Sequence, residues 1–141
     1  MDVMISNYRS IECLLDAACA GDTREVKRLL KQGIDPDTQD ENGFPVLALA
    51  AVGGHASTVK ALLESGANIE ATDSEGNTAL RWAADEGHLD VAQVLLERGA
   101  QIDIVNNDGY SPTYCALSSR RFRMVELLRA HTAVRQTLVK A

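Results

Sequence analysis

Three histidines, three cysteines and a recurring set of acidic clusters are the side chains with which this chain could do chemistry. His55 and His88 stand 33 residues apart and so occupy equivalent places on neighbouring units. Helices of neighbouring units pack about 8–10 Å apart, too far for both rings to meet one zinc ion at about 2.0–2.1 Å each. His131 has no obvious partner in sequence. The acidic clusters are Asp37, Asp40 and Glu41; Glu70, Asp73 and Glu75; and Asp103 with Asp108. A calcium loop needs glycine at its sixth place and glutamate at its twelfth. Counted from Asp37, those places hold Asn42 and Ala48. The clusters therefore read as solvated turn residues, and no metal is expected. Cys13, Cys19 and Cys115 are odd in number and form no Cys-x-x-Cys pair, which suits a reducing compartment. Cys13 and Cys19 would lie about 240° apart around a helix, off a common face. All three read as buried or half-buried free thiols. The chain has no glycine-rich phosphate loop, no Gly-x-Ser-x-Gly and no His-Glu-x-x-His. Neither an enzyme nor a cofactor is expected.

The elements that hold these residues are bounded by composition. A chain of 141 residues suits one domain, and 45% hydrophobic with 24% charged residues excludes wholesale disorder. No apolar run approaches the ~18 residues of a membrane span. The longest, Phe44 to Val52, carries a proline and ends in Gly53-Gly54. The opening residues lack the basic start and clean apolar stretch of a secretory signal, so a cytoplasmic protein without membrane contact is expected. A net charge of −6 argues against nucleic acid as a partner. Aromatic residues are only 4%, and alanines cluster as Ala17-Ala18, Ala50-Ala51 and Ala83-Ala84. Small residues on helices allow close approach, which suits thin, tightly stacked layers.

A period of 33 residues runs through the chain: Gly43, Gly76 and Gly109; Gly21, Gly54 and Gly87; Gly33, Gly66 and Gly99. Apolar positions share it: Leu14, Leu47 and Leu80; Leu29, Leu62, Leu95 and Leu128; Ala17, Ala50, Ala83 and Ala116. Each unit reads as two short helices and a turn. Thr78 caps a helix over residues 79 to 84, and Gly87 ends it in the left-handed conformation that glycine adopts without steric cost. A second helix runs from about Leu89 to Glu97, with Val91, Val94 and Leu95 at helical spacing. Gly99 stops it, and Asp108-Gly109 then signals a hairpin-like turn.

Residues 11 to about 133 resemble the ankyrin repeat. Gly76-Asn77-Thr78-Ala79-Leu80-Arg81-Trp82-Ala83-Ala84 matches the first part of that family's pattern, with alanine for proline and arginine for histidine. Gly87-His88-Leu89 and Leu95-Leu96-Glu97-Arg98-Gly99-Ala100 match the rest. The second unit departs further, with Pro45-Val46 and Ala48, but keeps Gly54-His55 and Leu62 to Ala67. The resemblance implies an all-α solenoid of four stacked helix-turn-helix units with short hairpin-like loops. These are an N-terminal cap at 11–40, repeats at 41–73 and 74–106, and a C-terminal cap at 107–141. It also implies that the imidazoles of His55 and His88 tie down the turn between the paired helices.

Terminal units of a stack must present polar outer surfaces. In the first, Arg24, Lys27, Arg28 and Lys31 lie opposite Val26, Leu29 and Leu30. In the last, Arg129 replaces the leucine of Leu30, Leu63 and Leu96, Arg120 replaces the helix-ending glycine, and Thr132 replaces Gly99. Nothing then stops the last helix, which is expected to reach about Leu138 with Leu127, His131, Val134 and Leu138 on one face. In ankyrin folds the hairpin tips and first helices line a concave face that meets protein partners. Carried over by position, the tips are Asn42, Phe44, Glu75, Asn77, Asp108 and Tyr110. The helices add Arg81, Trp82, Asp85, Glu86, Tyr114 and Ser118. Trp82, Tyr110 and Tyr114 are three of the six aromatics. Residues 118 to 141 carry +5, which leaves −11 of the total −6 on the remainder. The expected function is recognition of a protein partner through that face, by a monomer. The alternative is a self-associating subunit whose basic C-terminal helix docks on an acidic neighbour.

Overall fold

The computed structural model describes residues 2–140, less the side chains of Asp2 and Lys140. Met1 and Ala141, the outer limits of the expected domain, lie outside the described residues, as does the Lys140 side chain counted in the basic terminus. Eight helices follow in order: α1 Asp2–Ala20, α2 Thr23–Lys31, α3 Val46–Val52, α4 Ala56–Glu64, α5 Ala79–Glu86, α6 Leu89–Glu97, α7 Pro112–Ser118 and α8 Phe122–Lys140. They pair antiparallel into four units. The first helices pack in the series α1, α3, α5, α7, and the second in the series α2, α4, α6, α8.

Local chemistry sets the boundaries. Thr78 Oγ1 accepts the Arg81 N–H at 3.2 Å, and Ser111 Oγ accepts the Tyr114 N–H at 3.1 Å. Each satisfies a donor that the first helical turn leaves free. Pro112 begins α7, where its missing N–H costs nothing. Gly87 ends α5 with φ 77°. Arg120, in the same place after α7, is the only non-glycine with positive φ among the described residues, at 57°.

No unit could bury its apolar face alone. Leu14, Leu47 and Leu80 on the first helices and Leu29, Leu62, Leu95 and Leu128 on the second are all buried in one cluster. Ala18, Ala51 and Ala84 lie fully buried between neighbouring first helices, where a larger side chain would hold the layers apart.

Each unit is also linked to the one before it. His55 Nε2 meets the Cys19 carbonyl at 2.9 Å, and His88 Nε2 meets the Val52 carbonyl at 2.9 Å. A carbonyl only accepts, so Nε2 of each ring carries the proton. The imidazoles therefore reach back to the preceding unit rather than only pinning their own turn. Arg121 stands at the same place in the last unit and donates from Nε to the Asp85 carbonyl at 3.3 Å. The three acceptors are themselves one period apart.

One expectation needs correction: Cys13 and Cys19 are exposed, and only Cys115 is buried. The first helix starts at Asp2 and leaves Val3, Met4, Ile5 and Tyr8 in solvent. The last helix runs long, to Lys140, with Val134 and Leu138 exposed and Leu127 and His131 half-buried. Arg135 anchors the extension instead, donating to the Ala100 carbonyl at 2.8 Å and the Leu96 carbonyl at 3.2 Å. Those carbonyls lie at and just past the C-terminal end of α6, where a cation is favoured. No described helix is long and apolar enough to cross a membrane.

Left-handed backbone costs a non-glycine residue roughly 1–2 kcal/mol, and the Arg120 side chain is exposed. Arg120→Gly should therefore raise stability by about 1 kcal/mol, net of glycine's greater freedom when unfolded. A urea midpoint that moves up at unchanged slope is the expected result. A lower midpoint would mean that the Arg120 side chain contributes more than its backbone costs.

Candidate protein-binding face

The hairpins are organised by one side chain each. Asp40 Oδ1 accepts the N–H groups of Asn42 and Phe44 at 2.9 and 2.8 Å. Asp73 Oδ1 does the same for Glu75 and Asn77 at 3.0 and 2.9 Å, and Asn106 Oδ1 for Asp108 and Tyr110 at 3.0 Å each. These three residues share one place in the period, and each bends the chain into the same turn. The last two hairpins are then joined. Asn106 Nδ2 donates to Asn77 Oδ1 at 2.9 Å, and Asn77 Nδ2 donates to Asp73 Oδ2 at 3.2 Å. The Trp82 indole N–H donates to the same Asp73 oxygen at 3.0 Å.

The acidic clusters are therefore not simply solvated. Asp73 is only 7% exposed, a buried charge held by four hydrogen bonds. Asp37 Oδ1 accepts the Asn68 N–H at 2.7 Å, and Glu70 Oε1 accepts the Gln101 N–H at 3.1 Å. Both are equivalent links between successive units. Glu41, Glu75, Asp103 and Asp108 are exposed, as expected.

The expected contact residues fall into two groups. The Trp82 ring lies 5.4 Å from Phe44, tilted by 41°, and both are half-buried. Arg81 places its guanidinium 4.8 Å from the Trp82 ring and 3.9 Å from Asp85. Its Nε is buried without a partner. Asp85 also accepts from Ser119 Oγ at 2.7 Å. The second group is Tyr110 and Tyr114, stacked 4.5 Å apart and close to parallel, each substantially exposed. Asn42, Glu75, Glu86, Asp108 and Ser118 are exposed around these groups. Asn77 differs: at 1% exposure, with its amide engaged on both sides, it is framework and not a contact.

Sequence reading missed an open cavity of 420 Å³ beside Trp82, lined by Cys19, Asp40, Phe44, Leu49, Val52, Gly53 and Trp82. The period held the signal, because Leu49 is the counterpart of Trp82, and Cys19 and Val52 are counterparts of Asp85. Their residue types are ordinary and gave no reason to look. Loss of solvation at the cavity wall, and then the charges of Asp16 and Asp40, push the Cys19 thiol above its usual range. Burial does the same for Cys115, opposed by Arg81. Neither is tuned as a nucleophile. Among the described residues, no three His, Cys, Asp or Glu side chains are grouped to hold a metal ion.

Asn77→Ala would leave the Asn106 amide without its acceptor and take from Asp73 Oδ2 one of its two donors, the Trp82 indole remaining. The expected cost is about 1–3 kcal/mol, read as a lower urea midpoint. An unchanged midpoint would mean that water replaces the amide freely and the ladder adds nothing.

The comparisons with known proteins agree with this geometry. No curated protein matches the chain. A family model for ankyrin repeats, in three copies, matches residues 14–106. The fourth helix pair, α7 and α8, continues the same stack beyond that match. With its period, its paired helices and its linked hairpins, the chain belongs to the ankyrin-repeat family.

Proposed function

We propose that this chain recognises a protein partner through its inner, concave face and acts as an adaptor or inhibitor by occupying the partner's surface. Ankyrin repeats are in general protein–protein interaction modules. The observation that carries the reading is the presence of two aromatic pairs at the expected contact positions, Phe44–Trp82 with Arg81 beside it and the stacked, exposed Tyr110–Tyr114. Trp, Tyr and Arg dominate binding hot spots, because large rigid side chains exclude water at small entropic cost. The Asp73–Asn77–Asn106 ladder holds their backbone in place before a partner arrives, which lowers the cost of ordering on binding.

The test begins with affinity capture from the native extract and mass spectrometry, followed by affinity measurement on the partner found. Truncating a hot spot costs about 2 kcal/mol, close to thirtyfold in affinity. Trp82→Ala with Tyr110→Ala should abolish detectable capture, while Lys27→Ala with Lys31→Ala on the outer face of the first unit should not. Trp82 also bonds Asp73, so circular dichroism must show the fold intact, and Tyr110→Ala alone should still weaken binding. Loss of the partner on the outer-face change, with the inner-face change harmless, would place recognition elsewhere.

A further inference from the structure

Asp40 is one of the residues that line the cavity beside Trp82. Asp40 Oδ1 holds the hairpin, but Oδ2 makes no hydrogen bond among the described residues. In the next repeat the matching oxygen of Asp73 takes both the Trp82 indole and the Asn77 amide. The residues that would supply those donors to Asp40 are Leu49 and Phe44, one period earlier. Neither has a donor to give. The same two residues that lack donors build the apolar wall, so Asp40 lines the cavity together with Phe44, Leu49, Val52 and Trp82.

The surroundings add negative charge. Asp16, exposed on α1, holds the place matching Leu49 and Trp82. Both Asp16 and Asp40 act on the Cys19 thiol in the cavity wall, so their fields reach its mouth. Glu75, Glu86 and Asp108, which the ankyrin pattern assigns to the concave face, are exposed. Arg81 does not line the cavity; its guanidinium stands 4.8 Å from the Trp82 ring, with the Asp85 carboxylate 3.9 Å away.

Resting on the concave-face reading above, we propose that this cavity receives a lysine or arginine side chain from a basic segment of the protein partner. The aliphatic stem packs on Phe44, Leu49 and Val52, and the cation meets Asp40 with the Trp82 ring beside it. An apolar wall suits the long stem of such a residue, whose head stays near water. A carboxylate attracts the cation, more strongly at a partly desolvated site, and the Arg81 guanidinium already beside the Trp82 ring leaves Asp40 as the group that selects it. An apolar partner side chain would leave the Asp40 oxygen covered and unpaired, and an acidic one would be repelled.

Trp82 is the only tryptophan in the chain, so its emission reports the cavity directly. The probes are a serine–glycine host peptide with a central Lys-Lys-Arg and twins in which those three residues are norleucine or glutamate. The basic peptide should change Trp82 emission saturably and protect Cys19 from alkylation. The twins should bind at least about tenfold more weakly, and binding should weaken as salt rises. Asp40→Asn should lower the affinity for the basic peptide about tenfold. That variant keeps the turn, because Asn106 makes the same two bonds with an amide oxygen in the last hairpin. Equal binding of the norleucine twin, preference for the glutamate twin, or an unchanged affinity in Asp40→Asn would overturn the proposal. So would a mass that grows with protein concentration and reverts in Asp40→Asn, since the occupant would then be a second copy of the chain. If the cation fails while Trp82→Ala with Tyr110→Ala still abolishes capture, the concave-face reading stands without it. If capture survives that change as well, both fall.

Discussion

A pair of seven- to nine-residue helices such as α3 and α4 is too small to enclose a core, and this constraint shapes the rest of the molecule. The missing wall must come from the next pair, so apolar residues have to recur at one spacing along the chain. Leu47 and Leu80, or Leu62 and Leu95, are therefore halves of shared layers more than parts of separate units. Alanine at 18, 51 and 84 follows from the same need, because first helices approach closely only over small side chains. The links from His55, His88 and Arg121 to the preceding carbonyls fix the rotation of each pair on its neighbour. Apolar contact alone, being non-directional, would not.

What could be read in the sequence was what each unit settles within itself. The cap at Thr78, the stop at Gly87 and the bounds of α6 depend on a few adjacent residues and on the period. What escaped depends on relations between units. Asp73 and Asn77 look like exposed hairpin residues until Trp82 and Asn106 are placed against them, and only then does their burial follow. The exposure of Cys13 and Cys19 escaped for a related reason: among the described residues α1 packs chiefly on α2 and α3. Its first turns lie outside the period altogether, so the start at Asp2 had no counterpart to reveal it. In the candidate site, Trp82, Phe44 and the tyrosines could be named from residue type. Leu49, Val52 and Cys19 needed the geometry of a cavity to distinguish them from core.

The period separates places where chemistry must be kept from places where it is free. At the back-reaching link, histidine twice and arginine once do the same work, so a donor is required but its type is not. At the hairpin, Asp40, Asp73 and Asn106 all supply one accepting oxygen, and again only that function is constant. One residue further into the structure the constancy ends. Leu49, Trp82 and Cys115 share a place and have nothing chemical in common, as do Phe44, Asn77 and Tyr110. The period does not fix the residue type at such positions: Trp82 and Phe44 are half-buried and Tyr110 is exposed, while Asn77 and Cys115 are buried. A donor lost at one of them, as at Leu49 and Phe44, changes the surface without disturbing the turn.

The ends follow the same logic with the neighbour removed. After α7 no glycine turns the chain, and Arg120 takes up the left-handed backbone instead. After Leu128 no Gly-Ala loop interrupts the helix, so α8 runs on past the length of its counterparts. An extension with Val134 and Leu138 in solvent gains little from apolar burial. It is held by charge: Arg135 reaches the terminal carbonyls of α6, which carry partial negative charge. Arg121 is engaged at the other end of the same helix. The basic character of the C-terminal segment thus has a structural cause at these two residues, and the cations left to meet anything outside are those facing solvent, such as Arg123 and Arg129. Glu75, Glu86 and Asp108, by contrast, are exposed.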